Sequence, residues 1–505
     1  MRVLNSMAMM FSVACLAAGC LAFSGCATQP EEMLAPHITQ ADTPRIDPPD
    51  SDEPVMSLDQ VTEAYRSRLE ALRAENAADP MELDAFGGWV NAPDRLKTVA
   101  PNGFFQVAKL DGAWWFITPD GNPFVSKGVT DVNWFGATLA DDEFHDILVQ
   151  KYGDKETWAA AAEKRLLEWG FNTVGPWSSV SMGDRFPHAF VILDMGGHAP
   201  RHPNALVTDY YAPAFAEHAA AIVEQRARPQ VDNKHLIGYF LDNEVVWGAD
   251  HFRTNETLIQ LYMGFPPGAP GHDEAIRFLR EASSSIACFN DTWKTNITDW
   301  TALETLSATA LVPETDEAHA ITEAFMLQVF HHYADISIDA VRALDPHRLL
   351  LGCRFHNYPG DALFEAAAQR FDVVSMAFYE ARPPVKELDA IAGRADAPVL
   401  IGEWTFKSDD SGILNPFFGI YAPVVRTMQE RCLAYDNYVE TFMRRPYGIG
   451  YHWYKWMDNP ALPERRATGD NCGLLNQEDE PYEVFVEFIS EVNRRAERWH
   501  AQGSH

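Results

Sequence analysis

The chain has 505 residues and a formal charge of −32, from 40 Lys and Arg against 72 Asp and Glu. That surplus repels nucleic acid and anionic lipid over the whole surface, which sets both aside as direct partners. With 14 Trp, 30 Phe and 16 Tyr the chain can fill a large core, which excludes disorder over most of its length.

The amino terminus reads as an export signal: Arg2 precedes an apolar stretch from Met7 to Phe23 that ends in Ser24-Gly25-Cys26. Small residues followed by cysteine resemble the lipobox of bacterial lipoproteins, whose cysteine carries lipid after cleavage. Cys26 is the lipidation site this implies, with Leu16-Ala17-Ala18-Gly19-Cys20 as a competing string. The expected protein is exported and lipid-anchored at the bacterial outer membrane, on its periplasmic or its surface face, and touches the membrane only through that anchor. A signal over 1–25 is followed by an acidic, Pro-rich linker over 26–55, too polar to bury.

Leu58, Val61, Tyr65, Leu69 and Leu72 then fall near a helical period and predict a helix over 57–78. Phe104–Leu110 and Trp114–Ile117 flank Asp111-Gly112, the pattern of a β-hairpin. Helix and hairpin make an N-terminal extension over 56–122. From 123 to 495 eight short apolar runs follow: Phe124–Val132, Thr173–Trp177, Phe190–Met195, Leu236–Asp242, Leu349–Phe355, Val373–Phe378, Val399–Trp404 and Ile449–Trp456. Between them, Trp158–Trp169, Phe215–Arg226, Ala324–Leu344 and Val424–Met443 have helical periodicity. Eight such alternations predict an α/β fold, a (β/α)₈ TIM barrel, with a large insertion at about 249–320 between the fourth and fifth strands. Cys288, Cys353, Cys432 and Cys472 show neither CxxC spacing nor a zinc pattern, and no His cluster has ligand spacing, so neither metal nor cofactor is expected.

In such barrels the working residues lie at the C-terminal ends of the strands. The fourth run ends in Leu241-Asp242-Asn243-Glu244 and the seventh in Gly402-Glu403-Trp404, which aims two carboxylates into one mouth. Glycosidic cleavage needs such a pair: an acid to protonate the leaving oxygen and a carboxylate to attack the anomeric carbon. Pair and placement resemble the clan of retaining glycoside hydrolases built on this barrel. The resemblance implies Glu244 as acid/base, Glu403 as nucleophile and Asn243 as the partner of the substrate 2-hydroxyl.

Longer strings resemble family 50 β-agarases. They are Ile237 to Gly248 around Glu244, Gln429-Glu430-Arg431 with Tyr435 and Glu440, Gly450-Tyr451-His452-Trp453 through Asp458, and Gly469-Asp470-Asn471 with Asp479 to Tyr482. This likeness implies an oligo- or polysaccharide substrate, a red-algal galactan such as agarose with β-galactosidic linkages. Agarases of that family typically carry a β-sandwich ahead of the barrel, and the stretch before the hairpin is too short for one. Trp177, Trp247, Tyr379, Trp404 and Trp453 stand at strand ends, where flat faces suit pyranose rings, and Tyr379 is within reach of Glu403. His198, His356, His452 and Asp458 are further candidates for substrate contact. The alternatives are a β-galactosidase or other exo-β-glycosidase, and a non-catalytic surface glycan-binding lipoprotein.

Overall fold

Ser57 opens the first helix, Leu58–Ala78, by accepting from the Gln60 N–H while the Gln60 side chain accepts from its own. The helix buries Val61, Leu69 and Leu72. It is tied to the last third of the chain, where Arg68 reaches Asp436 and Glu440, each at 2.7 Å, and Tyr65 stacks on Phe488 at 5.2 Å. The computed structural model describes residues 56–503 apart from 98, 136–141, 190, 204, 250–252, 414–421 and 460–468. The signal, the linker and Cys26 lie outside the described residues.

β1 (Gln106–Leu110) and β2 (Ala113–Ile117) form the hairpin in antiparallel register. Asp111 and Gly112 both take left-handed φ, 48° and 84°, as a two-residue turn matched to strand twist requires. β3 (Pro123–Phe124) pairs with β2, again antiparallel.

β4 (Ser126–Val129) enters a six-stranded parallel sheet. Its order is β5 (Thr173–Val174), β4, β13 (Gly448–Trp453), β10 (Val399–Trp404), β9 (Val374–Ala377) and β8 (Phe355–His356). β6 (Gly238–Tyr239) pairs in parallel with β7 (Leu349–Leu350), and β11 (Lys407–Ser408) with β12 (Val424–Val425). Single parallel bridges carry pairing onward from β5: Val174 to His188, His188 to Leu236 and Ile192 to Phe240. The third predicted run is thus held by bridges, with Leu193 N–H on Phe240 O at 2.8 Å and Met195 N–H on Leu241 O at 3.0 Å, and not by a continuous strand.

Helices lie between these segments: Lys155–Glu168, Pro213–Ile222, Asp316–Leu344, Asp361–Ala368, Val385–Ile391 and Met428–Met443, with Glu483–Asn493 after β13. The longest begins at Asp316, well before the predicted Ala324, because Thr315 caps it and its first turns are polar. Within the insertion, Leu258–Met263, Pro270–Glu281 and Ile286–Trp293 are helical. Two of these pack on the long helix, Phe325 meeting Tyr262 at 5.5 Å and Phe278 at 5.2 Å.

One apolar cluster draws Ile192, Phe240, Leu351, Val373, Leu400 and Ile449 from the parallel segments and Phe105, Phe116 and Phe124 from the hairpin sheet. Leu349 and Leu351 both join it, at the spacing of two that sends alternate strand residues to one face. Lys127 in β4 is buried instead against the last helix, Ala496–Gln502, pairing with Glu497 at 2.5 Å and donating to Asn493 O at 3.1 Å. Removing one member of a buried pair leaves the other charge uncompensated, so Glu497→Leu is expected to cost about 3–5 kcal/mol of stability. Urea unfolding reads that loss, and adding Lys127→Met should restore most of it.

Candidate active site

β10 is buried along its whole length, yet its penultimate residue is a carboxylate. The ladders to β9 and β13 both slip beyond Ile401, and such a bulge re-aims the side chain that follows. Glu403 is 4% exposed and meets two donors: Arg354 Nη2 on one oxygen and the Tyr379 hydroxyl on the other. Tyr379 follows β9, as the sequence places it. Arg354 stands between β7 and β8 and also donates to Gly402 O at 3.1 Å. Its guanidinium lies 4.9 Å from the Phe240 ring centre and 5.2 Å from that of Trp177. Its Nε and Nη1 are buried without a hydrogen-bond partner among the described residues.

Glu244 follows β6, its N–H on Arg354 O at 3.0 Å and its Oε1 3.4 Å from Nδ1 of His356 at the end of β8. The amide oxygen of Asn243 is buried without a partner among the described residues, an acceptor that a ligand hydroxyl would satisfy. Glu244 has a left-handed φ of 49°, and the feature recurs. Asp131, Trp177, Asp194 and Arg354, with φ from 49° to 60°, each follow a parallel segment at this same end. Such backbone is uncommon outside glycine and gathers at functional sites.

Burial raises the Glu403 carboxyl to about 7; Arg354 opposes this, the charge of Glu244 adds to it, and Tyr379 and His356 lower it. Burial, and then the charge of Glu403, pushes the Tyr379 hydroxyl well above its ordinary range, so it remains a donor at neutral pH.

Trp177 is 37% exposed and presents an open ring. Tyr454 lies edge-on to Trp177 at 6.3 Å and to Tyr379 at 6.2 Å, which makes an aromatic wall leading to Glu403. Tyr454 and Arg354 were not singled out from the sequence. Trp247 is mostly buried against Phe330 and Tyr333 but keeps one side on a cavity next to Glu244. His198 belongs to a polar cluster with Asp194, at 3.2 Å, and Arg226.

Four residues expected at the mouth are interior. Trp404 stacks on Tyr438 at 4.2 Å, and the Trp453 indole donates to Cys472 O at 2.9 Å. His452 is wedged over Gly128, bonds Ser126 Oγ at 2.9 Å and is pushed by burial to about 3, so it is neutral. Asp458 accepts from Gly473 N–H at 2.6 Å and the Tyr482 hydroxyl at 2.5 Å, which fastens a loop. The reason for the tryptophans is the strand period: Glu403 faces the site, so Trp404 beside it faces the helices. Cys288, Cys353, Cys432 and Cys472 are free thiols, and among the described residues no group of three or more His, Cys, Asp or Glu is placed to hold a metal.

No protein-family model matches the chain. It is similar to β-agarase B of Vibrio sp. (strain JT0107), 24% identical over 486 residues that cover 81% of this chain and 49% of that protein. It is also similar to β-agarase A of the same strain, 25% identical over 463 residues, 78% of this chain and 46% of that one. The chain thus spans about half the length of these curated relatives. Among solved structures, an exo-β-agarase matches with TM-score 0.72 at 20% identity over 89% of this chain and 71% of that one. A crystal structure of an agarase matches with TM-score 0.71 at 20% identity, over 90% and 72%. The α/β fold is shared, and the likeness to β-agarases is the one the strings around Glu244 and His452 led us to expect.

Proposed function

We propose that the chain is a retaining glycoside hydrolase that cleaves β-galactosidic linkages in a red-algal galactan such as agarose or its oligosaccharides. The observation that carries this reading is the pair: Glu403 buried between two donors, with Glu244 close enough for its charge to act on it. Arg354 and Tyr379 both favour the ionised form of Glu403, the form that attacks an anomeric carbon. Glu244, held by His356, protonates the departing oxygen and then takes the proton of the water that releases the covalent intermediate. Asn243 receives the sugar 2-hydroxyl, and Trp177 stacks on a ring at the open side.

The scaffold of this reading is a closed (β/α)₈ barrel over 123–495. In its support, pairing runs from β4 through β5, His188 and Leu236 to β6 and β7, and from β8 through β9, β10 and β13 back to β4. β7 and β8 lie on one short run, which would join the two halves. The insertion at about 249–320 stands over the mouth that holds Glu244. Export and a lipid anchor at Cys26 complete the proposal.

Mass spectrometry of products from agarose, porphyran, carrageenan and neutral β-galactosides tests it. Neoagaro-disaccharides from agarose are expected. Single sugars would favour an exo-β-galactosidase, products from another glycan alone would remove agarose, and binding without products would replace the hydrolase with a glycan-binding protein.

A further inference from the structure

Asp242 stands two residues before Glu244 and is wholly buried, so no sugar reaches it. Its carboxylate nonetheless meets three donors. Oδ1 accepts from the Gly197 N–H and Oδ2 from the Gly196 N–H, each at 2.7 Å, and Oδ2 also accepts from the Tyr333 hydroxyl at 2.7 Å. The two amides follow the third run, and a Cβ on Gly196 would run into the Tyr210 hydroxyl, so their close approach depends on glycine there. Tyr333 stands on the long helix, Asp316–Leu344. Burial and then the charge of Asp194 raise the Asp242 carboxyl to about 7, while the Gly196 amide, Tyr333 and the Gly197 amide lower it. The three donors thus favour its charged form.

The same Tyr333 ring receives Trp247, three residues after Glu244, at 5.2 Å between ring centres. The stretch 243–246 is therefore anchored on both sides through one side chain, and Glu244 lies within it. Behind it, the Leu241 N–H is fixed on Gly352 O at 2.8 Å and Leu241 O takes the Met195 N–H at 3.0 Å. A left-handed φ of 49° in a residue with a side chain persists only where its surroundings over-determine it, and these anchors do so for Glu244. We propose that Asp242 is a positioning residue: its carboxylate, clasped by Gly196, Gly197 and Tyr333, sets the course of the backbone that aims Glu244 at the leaving oxygen. This rests on the hydrolase reading, in which Glu244 is the acid. Glu403 is held by other groups, Arg354 and Tyr379, so loss of the clasp falls on protonation of the leaving group and not on attack.

Kinetics on two substrates test the proposal: agaro-hexaose, whose leaving sugar needs a proton, and a dinitrophenyl β-glycoside of the neoagaro-disaccharide, whose phenolate leaves without one. In Asp242→Asn one amide N–H must face a nitrogen that cannot accept from it. This variant is expected to lower kcat/KM on the hexaose by about 100-fold, the scale of a misplacement of about 1 Å, and on the aryl glycoside by less than about threefold. Tyr333→Phe, which keeps the ring against Trp247 and removes one donor, should lose about fivefold on the hexaose and less than about twofold on the aryl glycoside. In a Glu244→Gln background, adding Asp242→Asn should lower hexaose turnover by less than about threefold, because no acid is left to misplace. Equal losses on the two substrates, or losses that multiply in the double variant, overturn the proposal, while products from wild type keep the hydrolase reading. Wild type that cleaves neither substrate overturns the hydrolase reading, and the proposal with it.

Discussion

Glu403→Gln is expected to lower kcat on agaro-oligosaccharides by about 1,000-fold or more, a loss of about 4 kcal/mol of transition-state stabilisation. Glutamine keeps the shape of the side chain; its amide oxygen can still accept from Arg354 Nη2, and its amide nitrogen can donate to the Tyr379 hydroxyl oxygen, so the fold should survive. What it lacks is the negative oxygen that forms the glycosyl bond. A second variant separates the two proposed roles. In Glu403→Gly, added azide should occupy the space of the carboxylate and attack the anomeric carbon, giving a glycosyl azide of inverted configuration. In Glu244→Gly the same anion should attack the covalent intermediate from the other face and give a product of retained configuration. Turnover above a tenth of wild type in Glu403→Gln, or the opposite pairing of azide products, would remove Glu403 as the nucleophile.

Arg354→Met is expected to be the next most damaging change, cutting kcat/KM at pH 7 by about 100-fold, the scale on which one preorganised donor counts at an active site. Burial raises the Glu403 carboxyl to about 7, and Arg354 is the strongest of the groups that lower it. Without the guanidinium the carboxyl rises further, so the ionised fraction at neutral pH falls. The acid limb of the pH–rate profile should therefore move upward, with a larger deficit at pH 6 than at pH 9. Arg354→Lys should recover part of the loss and part of the shift. A variant that is slower by the same factor at every pH would show that Arg354 only holds the fold together.

Much of the scaffold was legible because its signals are local. The apolar run Val399–Trp404 coincides with β10, and Asp111-Gly112 sits in the hairpin turn as its residue types require. Ser57 with Gln60 is a capping pattern three residues apart, and the first helix starts there. Glu244, Glu403, Tyr379 and Trp177 were readable as well, since each ends or follows an apolar run. Arg354 was not: in Gly352-Cys353-Arg354-Phe355 it reads as one basic residue in an apolar stretch. Its inward course depends on a left-handed φ of 49° that no residue type there announces. Tyr454 was hidden inside a string of aromatics, three of which are core. Glu403 and Trp404 are neighbours on one strand, so their side chains take opposite faces, and with Glu403 in the site Trp404 turns away from it.

The left-handed backbone at Trp177 and Glu244 bears on how this molecule can change. Each such conformation costs of order 1–3 kcal/mol in a residue with a side chain, and glycine would adopt it without strain. Evolution toward greater durability therefore has tempting first steps at these two positions, and each would delete a group the chemistry uses. Selection for robustness and selection for turnover pull in opposite directions at the mouth. A heat-tolerant descendant of this chain would have to gain its margin elsewhere, in helix caps, loops and the packing behind the strands.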